Sequence, residues 1–362
     1  MGDYIDHATP SNGQPQPART IRKNLYEQLA LVTTGYQPER EKEQQEISYY
    51  DYPVLKAPVW SWEIVWYFFF GGLAAGCYVI ASIASLFGSK EDQVVTRTGY
   101  YLSLLALLPC PPLLIKDLGK PERFLHMMRV FKVQSPMSMG VWGILTFSFF
   151  SGITTMIQAA RDGLLGKWWG ARWLASWPQK LLAVPGSIAG VFLGGYTGVL
   201  LAATSIPLWS RSKFMGAIFI ASALSTSGAL ISLVLHLTQA PARTLKKLER
   251  LEVSNMLIEL TGILIFLRQS RRVARPLVGS GPEEHGRTFW RFMFGGGLVL
   301  PLALQFLLLQ TKNHKKSPGG VSLLISGLIL MGGYFLRRTM IDAGHSSSKD
   351  ARTVLWNARK KH

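Results

Sequence analysis

Eight apolar stretches, each about as long as a lipid bilayer is thick, divide the chain between residues 60 and 338. An α-helix rises about 1.5 Å per residue, so about 20 apolar residues cross a hydrocarbon core about 30 Å thick. The pattern therefore predicts an all-α, polytopic membrane protein with eight transmembrane helices. We predict spans at residues 60–87, 99–115, 137–159, 181–204, 214–237, 253–267, 292–309 and 321–336.

The flanking sequences predict three parts of the chain: a soluble N-terminal extension (1–58), the eight-helix domain (59–338) and a basic C-terminal tail (339–362). Within the extension, residues 19–33 place apolar side chains near helical spacing. This segment is either a surface-lying or partner-docking helix or part of a disordered tail. The start of the chain lacks the apolar core of a cleaved secretory signal, so we expect none.

The formal net charge of +18 would suggest nucleic-acid binding in a soluble protein. Here the basic residues lie between the apolar spans, a distribution typical of membrane topology and lipid headgroup contact. We therefore expect contact with membrane lipid and none with nucleic acid. Of the 39 Lys and Arg residues, 26 lie on the side of the N-terminus, which favours cytoplasmic termini.

Several cofactor classes lack their minimum ligands in this sequence. Cys77 and Cys110, the only two cysteines, fall within apolar spans, whereas an iron–sulfur cluster or a structural zinc typically needs four ligands. Of the seven histidines, only His236 lies in or at the edge of a span, which argues against bis-histidine haem. No Walker loop, HExxH or CxxC motif occurs. We expect no metal in this chain and assign any cluster to a partner.

The loop after the second span is the densest polar segment near the membrane. Gly119 and Pro121 break the helix, and the following residues, including Arg123 and His126, make the loop basic. By themselves these residues describe either a positively charged loop with a helix stop or a docking surface.

Candidate ligand-binding side chains lie in the first and fourth spans. Glu63 and Tyr67 follow a cluster of tryptophans, and a carboxylate at a membrane boundary must stay solvated, pair or take up a proton. Tyr196 lies among small residues, so its phenol either donates a hydrogen bond to a carbonyl ligand or bonds a neighbouring helix.

A second polar set lies on the fifth and sixth spans. His236 ends the fifth span, while Glu252, Asn255 and Glu259 recur at spacings of three and four, hence on one helix face. An ionisable residue inside a span is unfavourable in lipid, so this face should contact protein or water. It is either a proton path or a set of hydrogen bonds that fixes helix packing.

Four sequence segments together resemble the NrfD/PsrC family of polysulfide-reductase-type membrane subunits. They are WSWEIVWYFFFGGLAAG in the first span, DLGKPERF and SPMSMGVWG before and into the third, and GGYTG followed by SIPLW around the fourth. The resemblance covers residues 60–336, and the DLGKPERF segment with the following SPMSMGVWG is its most specific part.

That resemblance implies a haem-free, cluster-free subunit of the bacterial cytoplasmic (inner) membrane that exchanges electrons with menaquinone or ubiquinone. It also implies a four-cluster ferredoxin-like iron–sulfur partner, often accompanied by a molybdopterin or multihaem catalytic subunit. We expect Asp117, Arg123 and His126 to contribute to the partner-docking face.

The resemblance also suggests which residues bind the quinone. A tyrosine of the fourth helix carries over to Tyr196, whereas a first-helix histidine falls at about Tyr67 and an asparagine at Ile64. Because that pair differs here, Glu63 or Tyr67 is the expected substitute. A transporter and a passive membrane anchor without quinone chemistry remain as alternatives.

The charge distribution makes a testable prediction about topology. Compartment reporters fused to the N-terminus and, separately, to the C-terminus should both give cytoplasmic signals. A periplasmic signal from either fusion would contradict the charge-based orientation.

Overall fold

The computed structural model describes residues 55–56, 58–120, 122, 124–166, 168–271, 273–279, 281, 285–310, 319–351 and 354–355. The predicted segment at 19–33 and most of the predicted extension lie outside these residues. In the described part, long helices connected by short loops and brief helical turns form one bundle.

The helices are, in chain order, α1 (Trp62–Phe87), α2 (Gln93–Leu107), α3 (Cys110–Asp117), α4 (Phe124–Arg129), α5 (Pro136–Arg161), α6 (Trp169–Ala175), α7 (Gln179–Ala202), α8 (Pro207–Ser210), α9 (Met215–Leu237), α10 (Ala242–Gln269), α11 (Arg275–Val278), α12 (Gly286–Gln310) and α13 (Gly319–Lys349). Residues Phe289–Val299 of α12 are π-helical.

Seven helical segments in the described part of the chain are long and apolar enough to span a membrane. The short sixth predicted span is absent from this set, because α10 carries many charged residues in its first half. Nevertheless α10 runs the length of the bundle: Thr244 near its start contacts Asp92 at one end, and Gln269 bonds Ser212 at the other. The polytopic helical architecture is confirmed, with α10 as an eighth, less apolar helix.

Two predicted spans have different bounds in the structure. The second is divided into α2 and α3 at Leu108 and Pro109, since proline lacks the backbone N–H that a continuous helix uses. The last continues well past residue 336, because α13 extends to Lys349. The boundary predicted at residue 338 therefore falls inside a helix.

Helix α1 occupies the centre of the bundle and packs against α2, α7, α9 and α13. Its most apolar window is 89% buried within the protein, so its surroundings are other helices and not lipid. Small residues allow these close contacts. At Gly76, a Cβ atom would collide with the Ser227 side chain and with the Ala223 carbonyl of α9.

A second close helix contact joins α12 and α13. A Cβ atom built on Gly297 or on Gly332 would meet the backbone of the other glycine, so the two helix backbones touch at this point. Glycine at both positions permits a contact that any larger side chain would separate.

Gly76 provides a test of the packing. Gly76→Ala should destabilise the folded protein by about 1–3 kcal/mol, because the added methyl group forces α1 away from α9. Gly152→Ala on α5 is the matched control: nothing lies within 4 Å of a Cβ there, so helix propensity should keep the change neutral or slightly stabilising. Thermal unfolding in detergent measures both, and equal midpoints would contradict the proposed packing.

Candidate functional site

A largely apolar cavity lies between α1, α3, α5 and α7 and is bounded at one end by α4. Its cavity volume is about 100 Å³, and it is partly open to the outside. Ligand cavities are typically apolar with a few well-placed polar groups, and this cavity fits that description. Its polar lining residues are Tyr67, Asp117, Ser148 and Tyr196.

Helical spacing explains why these elements produce a continuous wall. On α1, Ile64, Tyr67 and Phe68 recur at spacings of three and four and so share one face. On α5, the lining residues from Met137 to Ser148 follow the same spacing. The loop that contains the DLGKPERF segment brings Asp117 and Phe124 to the same end of the cavity.

Tyr196, one of the expected quinone-binding residues, lines the cavity, but its hydroxyl already has a partner. The phenol donates to the backbone carbonyl of Pro136 at the start of α5. Its ring lies over Gly140, where a Cβ atom would collide with it, and the Phe192 ring stacks beside it at 5.6 Å. The small residue that makes room for Tyr196 is therefore on α5. To donate to a ligand, the hydroxyl must first leave the Pro136 carbonyl.

Tyr67 also lines the cavity, and its hydroxyl bonds none of the described residues. Only 3% of the residue is exposed, and its ring lies near Gly71 and Cys110. Among the described residues its hydroxyl has no hydrogen-bond partner, while the ring lines the cavity. A buried phenol of this kind is suited to donate to a carbonyl oxygen that enters the cavity.

Glu63, which was expected to contact a quinone, forms an ion pair within the protein. Its carboxylate accepts a hydrogen bond from Ser61 and pairs with Lys116, whose Nζ lies 3.2 Å from Oε1. The same ammonium lies 4.3 Å from the centre of the Trp62 ring. Glu63 does not line the cavity; it connects the start of α1 to the end of α3.

The residues predicted to dock a partner divide into three cases. Asp117 lines the cavity instead of an outer face. His126 is exposed and lines an adjoining surface groove with Lys132 and Ser138. Arg123 lies outside the described residues.

The surface around His126 is unusually apolar for a loop. Large exposed side chains accompany the basic residues there, namely Leu125, Val130, Phe131 and Val133. Exposed apolar groups next to charges are common at binding surfaces for proteins or membranes.

The predicted polar face of α10 is buried against other helices. Glu252 accepts from Gln305 Nε2 of α12 at 2.6 Å, and Glu259 accepts from Ser225 Oγ of α9 at 2.8 Å. Asn255 lies between them on the same face, and its Nδ2 has no partner in the described part of the chain. The predicted spacing thus brings Glu252, Asn255 and Glu259 together.

His236 lies apart from the acidic residues, at the end of α9. It is half-buried, and its Nδ1 lies 2.8 Å from the backbone carbonyl of Ser232. The Ser232 side chain in turn contacts Glu252, so one serine separates the imidazole from the acidic face.

Sequence reasoning missed Arg337, which follows the predicted end of the last span at residue 336 but lies in the bundle interior. Only 1% of the residue is exposed, and its guanidinium donates to the backbone and to Ser222. The 26 basic residues counted on the N-terminal side of the membrane therefore include Arg337, which is buried in protein and says nothing about membrane orientation. The apolar residues Met340, Ile341 and Ala343 continue the helical pattern and could have revealed that the span extends beyond residue 336.

Comparison with known proteins gives a family and several relatives. The family model described as "Polysulphide reductase, NrfD" matches residues 52–347. Protein NrfD of Escherichia coli (strain K12) is 25% identical over 311 residues, covering 79% of this chain and 95% of that protein. The NrfD homolog of Haemophilus influenzae is 26% identical over 325 residues, covering 81% and 98%.

A protein named as a subunit of the selenate reductase of Mesobacillus selenatarsenatis is also similar, with 23% identity over 300 residues, covering 71% of this chain and 68% of that protein. The family match spans all the helices that form the cavity and the buried polar face of α10. This chain is a multi-pass membrane protein and belongs to the NrfD polysulphide reductase family.

Proposed function

We propose that this chain is the quinone-interacting membrane subunit of a reductase complex. The observation that carries the proposal is the Tyr67 hydroxyl, a buried donor without a protein partner among the described residues, in an apolar cavity. The relative from Mesobacillus selenatarsenatis supports it, since that protein is named as part of a selenate reductase. A bound quinone would supply two-electron, two-proton carrier chemistry.

The cavity residues divide the binding task by chemistry. Tyr67 donates to one quinone oxygen, and Tyr196 contributes its ring and, after leaving Pro136, a second donor. Apolar side chains such as Ile144 and Leu145 contact the ring and the first part of the isoprenoid tail. Glu63 and Lys116 do not contact the quinone; their ion pair holds α3 against α1 and so positions the cavity wall.

The subunit exchanges electrons with a partner, since the sequence has too few cysteines for a cluster of its own. We propose a four-cluster ferredoxin-like partner, with a molybdopterin or multihaem catalytic subunit beyond it. The surface around His126 docks the partner, next to Asp117 at the cavity end. The complex would reside in the bacterial inner membrane and use menaquinone or ubiquinone.

The buried face of α10 would exchange protons between the bundle interior and the aqueous phase. Its members are Glu252, Asn255 and Glu259; Gln305 extends the path to α12, and His236 at the end of α9 continues it toward the aqueous phase. Unpartnered atoms on Glu252, Asn255 and Gln305 leave hydrogen-bonding capacity that transient water molecules can use.

A passive anchor is the second candidate function. It is favoured by the closed hydrogen bond between Tyr196 and Pro136 and by the Glu63–Lys116 pair, both of which are complete without a ligand. The free Tyr67 hydroxyl favours quinone binding instead.

Access to the cavity can be tested with an introduced thiol. Ser148→Cys should react quickly with a membrane-soluble maleimide, and an added quinone should slow that reaction, because Ser148 lines the cavity. Ser151→Cys is the matched control: it lies on the same helix, is fully buried against Ser103, and should react slowly. The native Cys77 and Cys110 are buried and should add little background. Equal labelling rates at the two positions would argue against an accessible cavity.

Removing single hydroxyl groups tests the roles of the two phenols. Tyr67→Phe should slow quinol-linked turnover of the complex by about tenfold, the loss expected for one hydrogen bond to a ligand. Tyr196→Phe should have a smaller effect, about threefold, since its donor bonds Pro136. Tyr101→Phe, which loses a bond to Asp162 near the opposite end, is the control. Unchanged turnover in both cavity variants would favour the passive anchor.

A further inference from the structure

Arg337 on α13 carries a positive charge into the interior of the bundle. A guanidinium stays protonated in proteins, so its burial is strongly unfavourable unless hydrogen bonds and an opposite charge compensate. Ionisable side chains inside membrane spans mark functional sites more often than structural ones. None of the functions proposed above uses this residue.

The hydrogen bonds of Arg337 satisfy its donors but not its charge. Its Nε donates to the Phe68 carbonyl of α1 at 3.1 Å, and Nη1 donates to the Gly333 carbonyl at 2.7 Å and to Ser222 Oγ at 3.0 Å. The Phe69 and Phe219 rings lie 5.9 and 5.7 Å from the guanidinium carbon. All of these partners are neutral.

Glu259 supplies the opposite charge. It is 5% exposed, and its carboxylate accepts from Ser225 of α9. Two serines three residues apart on α9 connect the charges: Ser222 accepts from Arg337, and Ser225 donates to Glu259. In the described part of the chain, α9 presents serines to the pair and α1 presents a carbonyl and aromatic rings, while Glu252 is bonded to Gln305 of α12. Among the described residues no direct ion pair joins Arg337 and Glu259, and the opposite charge of Glu259 faces Arg337 across the serines of α9.

Arg337 contacts a residue of the cavity wall, Phe68. Phe68 lines the cavity with its side chain, while its carbonyl accepts from Arg337. Gly72, one turn further along α1, makes room for the guanidinium: a Cβ atom there would lie 2.8 Å from Nη2. Only the thickness of α1, about 10 Å, separates the cavity from the cation. Charges at this distance inside a protein still interact appreciably.

We propose that Arg337 and Glu259 form a charge-compensating pair for the cavity, an inference that rests on the proposed quinone function. When electron exchange with the partner leaves negative charge in the cavity, that charge attracts Arg337 and weakens its attraction for Glu259. Glu259 then takes up one proton from the aqueous phase and returns it when the negative charge leaves. Arg337 is the positioning residue of this exchange, and Glu259 is the group that carries the proton.

The test compares variants of the intact complex in lipid nanodiscs. Glu259→Gln should remove one ionisation from the pH profile of quinol-linked turnover, while quinone content stays at the wild-type level. Arg337→Gln should shift that profile by about one pH unit toward alkaline pH, because the carboxyl loses its stabilising cation. Arg337→Lys should restore part of the profile. Arg338→Gln, which removes a half-exposed cation on the next residue, is the matched control.

Folding provides a second, independent measurement. Each single neutral variant leaves an uncompensated buried charge, so each should lower the thermal midpoint, and the double variant Arg337→Gln with Glu259→Gln should recover much of the loss. Two results would contradict the proposed pair. One is a double variant whose thermal midpoint falls by the sum of the two single losses; the other is that the Arg337 and Glu259 variants give the same pH profile of turnover as Arg338→Gln. If wild-type complex neither retains quinone nor oxidises quinol, the quinone function fails, whereas the thermal cycle still decides whether the two charges are coupled.

Discussion

The central position of α1 is the constraint on which the rest of the structure depends. Because this helix is surrounded by protein, its glycines and alanines determine how closely α9 and α13 approach. One of its faces lines the cavity through Tyr67 and Phe68, and the Phe68 carbonyl accepts from Arg337. The cavity and the buried charge thus lie on opposite sides of the same helix.

Hydropathy was sufficient to predict most of the fold, because lipid requires long apolar helices whose backbone groups bond within each helix. It failed where other forces decide the helix bounds. Helix α10 begins earlier than predicted since Thr244 and Lys247 are fixed by Asp92. Helix α13 continues past Arg337 because the bundle supplies hydrogen-bond partners for that cation. Hydropathy alone counts an arginine against a membrane span, so the predicted span ended at residue 336.

The candidate site was predictable only in part. Spacing on α10 identified the buried acidic face, since three- and four-residue repeats are a local property of a helix. Contacts between distant segments were not accessible in this way. The Tyr196 hydroxyl bonds a carbonyl 60 residues away, and Glu63 bonds Lys116 on another helix. As a result the cavity phenol that bonds none of the described residues is Tyr67, and no local sequence pattern could have shown this.

The cavity occupies only the first part of α5, from Met137 to Ser148, which corresponds to about 17 Å of helix. This length is close to half the thickness of the hydrocarbon core. The cavity therefore extends over about the depth of one leaflet, and a quinone of the kind proposed above that dissolves in the other leaflet must cross the bilayer midplane to reach that depth. Exchange should then depend on transverse diffusion of the ligand, so that membrane composition influences the rate at which the site is refilled.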